Sequence, residues 1–328
     1  MYTAVSVEAC LTASTAVVDA ALPMQSSLDA VLPLAPRDLE RSRLLIESLA
    51  RNLDGLGCLW VVCPDADVAR IREALADESL PFELRVEPER RIVPKFALNI
   101  RMSGWFKQQL IKLACFEHVT PGLYLTFDAD VVCTRRVTAA QLIGDGRGVC
   151  VSYPDETFRY WYERIEQVMR IRIPAGQGCH NVTPALLHTG GMSALKATID
   201  EKLARGEYSR GLRGLKQRWW LHQTRHSTSY APWRVFLAAA RPWTEYALYY
   251  SVLEHNGLFD RFHVRRDCGI YDNERSLWHA EHQQIPTDWD PSPAFIGTGP
   301  PWFLVAQSNT GIGAEDYRQR LAPLLRAD

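Results

Sequence analysis

The sequence predicts an α/β fold organised on a mostly parallel central sheet flanked by helices, and three observations predict it. Short apolar, β-branched runs alternate with amphipathic helical segments through the first half of the chain, the order that yields parallel strands covered on both faces. Those runs end at proline, glycine or aspartate, so several strand ends collect at one edge. The composition agrees: 328 residues, 47% hydrophobic and 23% charged, with a formal net charge of -1, is ordinary for a globular chain with a sizeable core.

In order, Leu28 to Leu34 is the first strand, closed by Pro33 and Pro36. Leu39, Ile46, Leu49 and Leu53 then recur at helical spacing up to Gly55, the pattern of an amphipathic helix. Cys58 to Cys63 is a second buried strand ending at Pro64-Asp65, a helix runs from Asp67 to Ala76, and Phe82 to Glu87 is a third strand. From Ser103 to Glu117 a helix carries Phe106, Leu110, Leu113 and Ala114 as one apolar stripe. Trp105, Gln109 and Lys112 fall at i, i+4 and i+7 on the adjacent face, where they are expected to be exposed donors. Leu123 to Phe127 is the next strand and Val149 to Ser152 closes the first half.

The second half is richer in aromatics. It offers a helix from Glu156 to Met169, a Gly176-Gln177-Gly178 loop, the strand-like ALLHTGG and a helix from Ser193 to Arg205. A helix with Thr244 as N-cap and Glu245 in its first turn follows, then a strand through FDRFHV. The division is therefore a loose or docking arm over 1–27, a first half over 28–152 and a second half over 153–328.

Chemistry concentrates where the strand Leu123 to Phe127 runs into Asp128-Ala129-Asp130. Two carboxylates one residue apart suit a hard cation, Mg²⁺ or Mn²⁺, which takes one or two protein carboxylates and shares a substrate's phosphates. An Asp-x-Asp step after a strand also occurs as a plain turn. In a parallel sheet ligands sit beyond the carboxyl ends of the strands, which brings Asp65 and the loop of Arg91 and Lys95 to the same place.

YLTFDAD after an amphipathic helix resembles the DxD signature of the GT-A nucleotide-sugar glycosyltransferases, and the likeness spans about residues 28 to 310. It also rests on His188-Thr189-Gly190-Gly191, on Trp243-Thr244-Glu245 and on a later histidine. It is similar above all to bacterial members with a Thr-Glu-Tyr step. The resemblance implies a GT-A-like sheet with a nucleotide-binding first half and a helix-rich, acceptor-binding second half. It implies transfer of a sugar, with inversion, from a nucleotide-diphosphate donor, UDP foremost, to a hydroxyl of a bacterial glycan or glycolipid. Asp128 and Asp130 would hold Mn²⁺ or Mg²⁺, completed by His263 or His279. Asp65, Arg91, Lys95, Gln109, Lys112 and Asp128 would face the nucleotide. His188, Gly190, Gly191 and Trp243 would face donor sugar or acceptor, and Glu245 would be the general base. Ser308 and Asn309 are further candidates to return to the site.

Two other classes share the pattern. A haloacid-dehalogenase-like phosphatase also ends a strand in Asp-x-Asp, but wants a threonine where this chain has Val132. A catalytically inactive glycan-binding relative is the second. Nucleic acid is not an expected partner of so balanced a chain, although Arg205 to Arg225 holds seven basic residues, one of them histidine, with tryptophans interleaved. No apolar run approaches the ~18 residues of a transmembrane helix. Met1 to Ser27 lacks a basic n-region and is interrupted by Glu8 and Asp19, unlike a secretory signal. The eight scattered cysteines, without a CxxC pair, read as reduced core thiols of a cytoplasmic protein. That protein could meet the inner face of the membrane through its acceptor.

Overall fold

Burial on both faces is what the apolar runs of the first half produce. The computed structural model describes residues 27–326 apart from 77–78, 94–101, 152–154, 174–181, 227–230, 267–268, 279–284 and 311. The first half supplies β1 (Leu28–Pro33), α1 (Leu39–Asn52), β2 (Leu56–Cys63), α2 (Val68–Ala74), β3 (Glu83–Pro88), α3 (Gly104–Ala114), β4 (Leu123–Thr126), β5 (Val131–Cys133) and β6 (Arg147–Val151). The second supplies α4 (Asp155–Met169), β7 (Ala185–His188), α5 (Thr189–Ala204), α6 (Leu212–Thr224), α7 (Pro232–Ala239), α8 (Glu245–His255), β8 (His263–Arg266), β9 (Phe303–Val305) and α9 (Ala314–Arg326). Very short strands and turns of helix join them.

The main sheet has the order β7-β4-β1-β2-β3. Its four first-half strands are mutually parallel and β7 joins antiparallel to β4. Along β1 and β2 the side chains alternate between two cores: Ala30, Leu32, Leu59 and Val61 pack toward α1 and α2, whereas Val31, Trp60 and Val62 pack toward the helices of the second half. The α/β expectation, with a mostly parallel sheet between helices, is what the structure shows.

Some local expectations need correction. The strand-like ALLHTGG stops at His188, and Thr189 starts α5, because His188 Nδ1 accepts from Gly190 N at 2.9 Å and caps a helix there. In FDRFHV the first four residues form a helical turn and the strand begins at His263. Cys58, Cys63, Cys115 and Cys133 are free and buried as expected, but Cys150 is disulfide-bonded; spacing along a chain does not report which thiols meet in space. The Gly176-Gln177-Gly178 loop and most of the N-terminal arm lie outside the described residues. Among the described residues no helix is long and apolar enough to cross a membrane.

Strand β5, which follows the two aspartates, is fixed by α1. Ser48 Oγ accepts from Cys133 N at 2.9 Å and donates to Leu45 O at 2.7 Å, while Asn52 Nδ2 donates to Cys133 O at 2.7 Å. Replacing Ser48 by alanine would leave the buried Cys133 N–H unpaired, at a cost of about 1–3 kcal/mol. Urea unfolding of Ser48→Ala should show a loss of that size with unchanged dependence on denaturant concentration; parent-like stability would mean that this contact does not hold β5.

Candidate active site

The loop Asp128-Ala129-Asp130 is pinned from three directions. Phe127 N still donates to Val31 O of β1 at 2.8 Å. Asp128 N donates to Thr183 Oγ1 at 2.8 Å, just before β7. Behind β9, Ser308 N donates to Asp130 Oδ2 at 2.6 Å and Ala306 N to Asp130 O at 2.8 Å. An open cleft of about 440 Å³ lies over the loop, walled by Arg37 and Asp38 after β1, Trp105 and Gln108 at the start of α3, Thr183, Gln307 and Ser308. It sits at the carboxyl end of the parallel strands, where the strand order places a ligand.

Beneath the cleft is a buried charge cluster. Lys112, on α3, is 1% exposed. Its Nζ lies 2.7 Å from Asp128 Oδ1, 3.0 Å from Glu245 Oε1 and 3.2 Å from Tyr246 OH. An ammonium has three protons to give, and all three have acceptors. Tyr246 OH in turn meets Thr126 Oγ1 at 2.9 Å, and Thr126 Oγ1 donates to Ala185 O at 3.2 Å. Burial alone would lower the Lys112 pKa, but Asp128 and Glu245 outweigh it and hold it well above the usual lysine range. Burial raises the Glu245 carboxyl, partly opposed by Lys112.

Asp130 differs from its neighbour. Burial, then the charge of Asp128, pushes its pKa up to about 6. Its Oδ2 is satisfied by Ser308, yet Oδ1 is buried with no partner. One ammonium stands against the three carboxylates of Asp128, Asp130 and Glu245, an excess of two negative charges when all are ionised. Arg41 offsets Asp130 weakly and is engaged with the carbonyls of Ala306 and Ile312. A divalent cation fits this donor set: an orphaned carboxylate oxygen, a half-open carboxylate beside it, and a cleft that leaves other positions for water or phosphate. Among the described residues no three metal-type side chains cluster together, so such an ion would rest on two carboxylates.

The other sequence candidates distribute unevenly. Asp65 and Arg91 lie at the same sheet edge, two and three strands from β4, roughly 10 and 14 Å across at the usual strand spacing. There Asp65 is paired with Arg90 and Arg91 with Glu87. Lys95 and His279 lie outside the described residues. Lys112 and Gln109 are not the exposed donors expected of them, because α8 covers that face: Gln109 Oε1 accepts from Glu245 N at 3.0 Å. It thus caps α8 in place of Thr244, whose hydroxyl has no partner. Trp243 is fully buried, with Nε1 donating to Leu237 O at 2.9 Å, so it presents no face to an acceptor. Glu245 is 6% exposed and is not on the cleft wall.

The turn of His188, Gly190 and Gly191 is at the wrong end of the sheet. His188 pairs with Leu123, the first residue of β4, about five residues and roughly 16 Å from Asp128. Its glycines make room for protein: a Cβ on Gly191 would come within 2.9 Å of Tyr249 Cζ, and one on Gly190 would meet Phe262 at 3.0 Å. His263 is no metal ligand either. It is fully buried, and its Nε2 lies 2.7 Å from Tyr249 OH and its Nδ1 3.3 Å from Gly148 O, which occupies both ring nitrogens. Conversely, Arg37, Gln108, Thr183 and Gln307 carried no motif; placement beside strands or before Ser308 hinted at three of them, and nothing singled out Gln108 within its helix.

Residues 25–327 match the family of unknown function DUF6492. The chain belongs to that family. A search of curated proteins finds no match. Among solved structures, the DUF6492 chain is similar to mouse xyloside xylosyltransferase 1 in its apo form, at 11% identity and a TM-score of 0.44 over 87% of this chain and 99% of that one. It is also similar to the glycosyltransferase GlyE of Streptococcus pneumoniae TIGR4, at 11% identity and a TM-score of 0.34 over 74% of this chain and 45% of that one. At these scores neither likeness carries an argument about the chemistry of the DUF6492 cleft, which stands on its own geometry.

Replacing Lys112 tests the cluster. Lys112→Met strands the buried Glu245 carboxylate and removes the partner of the half-open Asp128, and should lower stability by roughly 3–5 kcal/mol. Adding Glu245→Gln should recover on the order of 1–2 kcal/mol of that loss, since neighbours in one network couple. Both are read from urea unfolding; strictly additive effects of the two changes would refute the buried pair.

Proposed function

We propose that this cleft binds a nucleotide-diphosphate sugar through a divalent cation held by Asp128 and Asp130, and transfers the sugar to a hydroxyl acceptor. The observation that carries the proposal is the uncompensated charge of the aspartate loop, which leaves Asp130 Oδ1 without a partner and lines a cleft at the carboxyl edge of a parallel sheet. When bound, Mn²⁺ or Mg²⁺ would neutralise the departing diphosphate, the main electrostatic demand of such a step.

The chain's own residues do the positioning. Lys112 holds Asp128 in one rotamer through a 2.7 Å contact, and Ser308 N–H does the same for Asp130. Trp105, at the lip, is 48% exposed beside Phe106 and Trp161, and its exposed part offers a surface on which a base or sugar can stack. Arg37, also exposed and lining the cleft, is placed to meet phosphate. Glu245 enters as a positioning residue that fixes Lys112; its buried carboxylate does not reach an acceptor. Asp65 and Arg91, farther along the edge, are within the span of a nucleotide and serve its base side. A UDP donor and a bacterial glycan or glycolipid acceptor complete the proposal.

Calorimetric titration of UDP tests it. The parent should bind more tightly in Mn²⁺ than in chelator, and Asp128→Asn and Asp130→Asn should remove most of that difference, roughly tenfold or more in dissociation constant, because ion and phosphate bind together. Equal affinity of all three proteins in saturating Mn²⁺ would sink the proposal. Release of phosphate from phosphomonoesters without sugar transfer would favour the phosphatase reading. Glycan binding without any metal-dependent nucleotide affinity would favour an inactive relative.

A further inference from the structure

Helix α6 has two opposed faces. Gly214, Gln217, Leu221 and Thr224 are buried, and Gln217 anchors the helix by accepting from Ser209 N at 2.8 Å and donating to Phe236 O at 3.2 Å. Leu212, Leu215 and Trp219, at i, i+3 and i+7, are 77%, 61% and 55% exposed. At about 100° per residue the centre of this stripe lies roughly 180° from the centre of the buried one. These three side chains point straight away from the core. A contiguous outward stripe of two leucines and a tryptophan marks an interaction surface.

Charge says what kind of surface it meets. Lys216 flanks the stripe on one side and Arg218 on the other, with Arg225 just past the last turn, all exposed. Between Glu207 and Glu245 the sequence contains no acidic residue and seven Lys or Arg. We infer that α6 docks on an anionic lipid bilayer, with Leu212, Leu215 and Trp219 in the acyl boundary and the basic side chains at lipid phosphates. A second copy of the chain is disfavoured, since a two-fold contact would set like-charged faces against each other. Nucleic acid is disfavoured because the centre of the face is aliphatic, and leucine neither stacks on a base nor hydrogen-bonds to it. The helix is linked toward the cleft wall through two contacts: Arg213 Nε donates to Arg241 O at 3.0 Å, and the Arg241 guanidinium lies 5.5 Å from the centre of the ring of Phe106, the neighbour in sequence of the cleft residue Trp105. Docking itself does not depend on the proposed sugar transfer.

The test is sedimentation of the full chain with vesicles of phosphatidylcholine alone and of phosphatidylcholine mixed with phosphatidylglycerol, at low and high salt. Anionic vesicles should carry the chain down, and neutral ones or high salt should do so much less. Leu215→Ser with Trp219→Ser should lower partitioning by roughly ten- to a hundredfold, and Lys216→Glu with Arg218→Glu should weaken it at low salt, with melting temperatures little changed because all four residues are exposed and only Arg218, over the Tyr208 ring, and Trp219, beside Trp220, lose surface ring contacts. A chain that stays in the supernatant with anionic vesicles at low salt overturns the inference. So does undiminished binding by the Leu215→Ser, Trp219→Ser chain, or a lipid-free dimer that these two changes convert to monomer, which would make the stripe a subunit contact.

Discussion

A single buried ammonium organises the site. Lys112 takes a positive charge into the interior, which is tolerable only if every proton is accepted and the opposite charge is close. The structure meets that demand with one acceptor from the aspartate loop and two from the start of α8. Helix α3, the end of β4 and the sequence-distant α8 therefore cannot move independently. Gln109 adds to the tie by capping α8 from α3. The half-open Asp128 carboxylate is thus held from below, leaving its cleft side available to a ligand.

Much of the fold was legible because its signals are local. Buried parallel strands announce themselves as apolar runs, and α1 as a stripe of leucines, so most elements of the first half fall within a few residues of their expected bounds. The aspartate loop was legible for the same reason: a strand running into two acids needs no knowledge of the rest of the chain. Its partner behind β9, Ser308, was visible only as a candidate.

What could not be read is what covers each face. Helical spacing puts Trp105, Gln109 and Lys112 on one side of α3, but it does not say that α8 closes over the last two and leaves the first in the open. His188 and His263 look like ligands in a linear sequence, yet one caps a helix and the other sits among aromatic rings, bonded at both nitrogens. Gly190 and Gly191 suggest close approach of a ligand; the close approach is real, but it is made by Phe262 and Tyr249. Direction along a strand is equally hidden, since the antiparallel entry of β7 carries its histidine to the far edge from Asp128.

The asymmetry between the two aspartates follows from the same packing. Asp128 borrows the Lys112 ammonium, which has no further proton to share, so Asp130 is left with Ser308 and the weak influence of the Arg41 charge. Burial then makes its second oxygen the least satisfied polar atom at the loop. Two remedies exist for a carboxylate in that state, a proton or a cation. Burial and the charge of Asp128, which push the Asp130 pKa up to about 6, lean toward the first. The second needs an ion that tolerates few protein ligands and keeps room for others, which is the behaviour of Mg²⁺ and Mn²⁺ toward phosphates. A cluster saturated from beneath by Lys112 thus leaves its shortage of positive charge at the aspartate loop that lines the cleft.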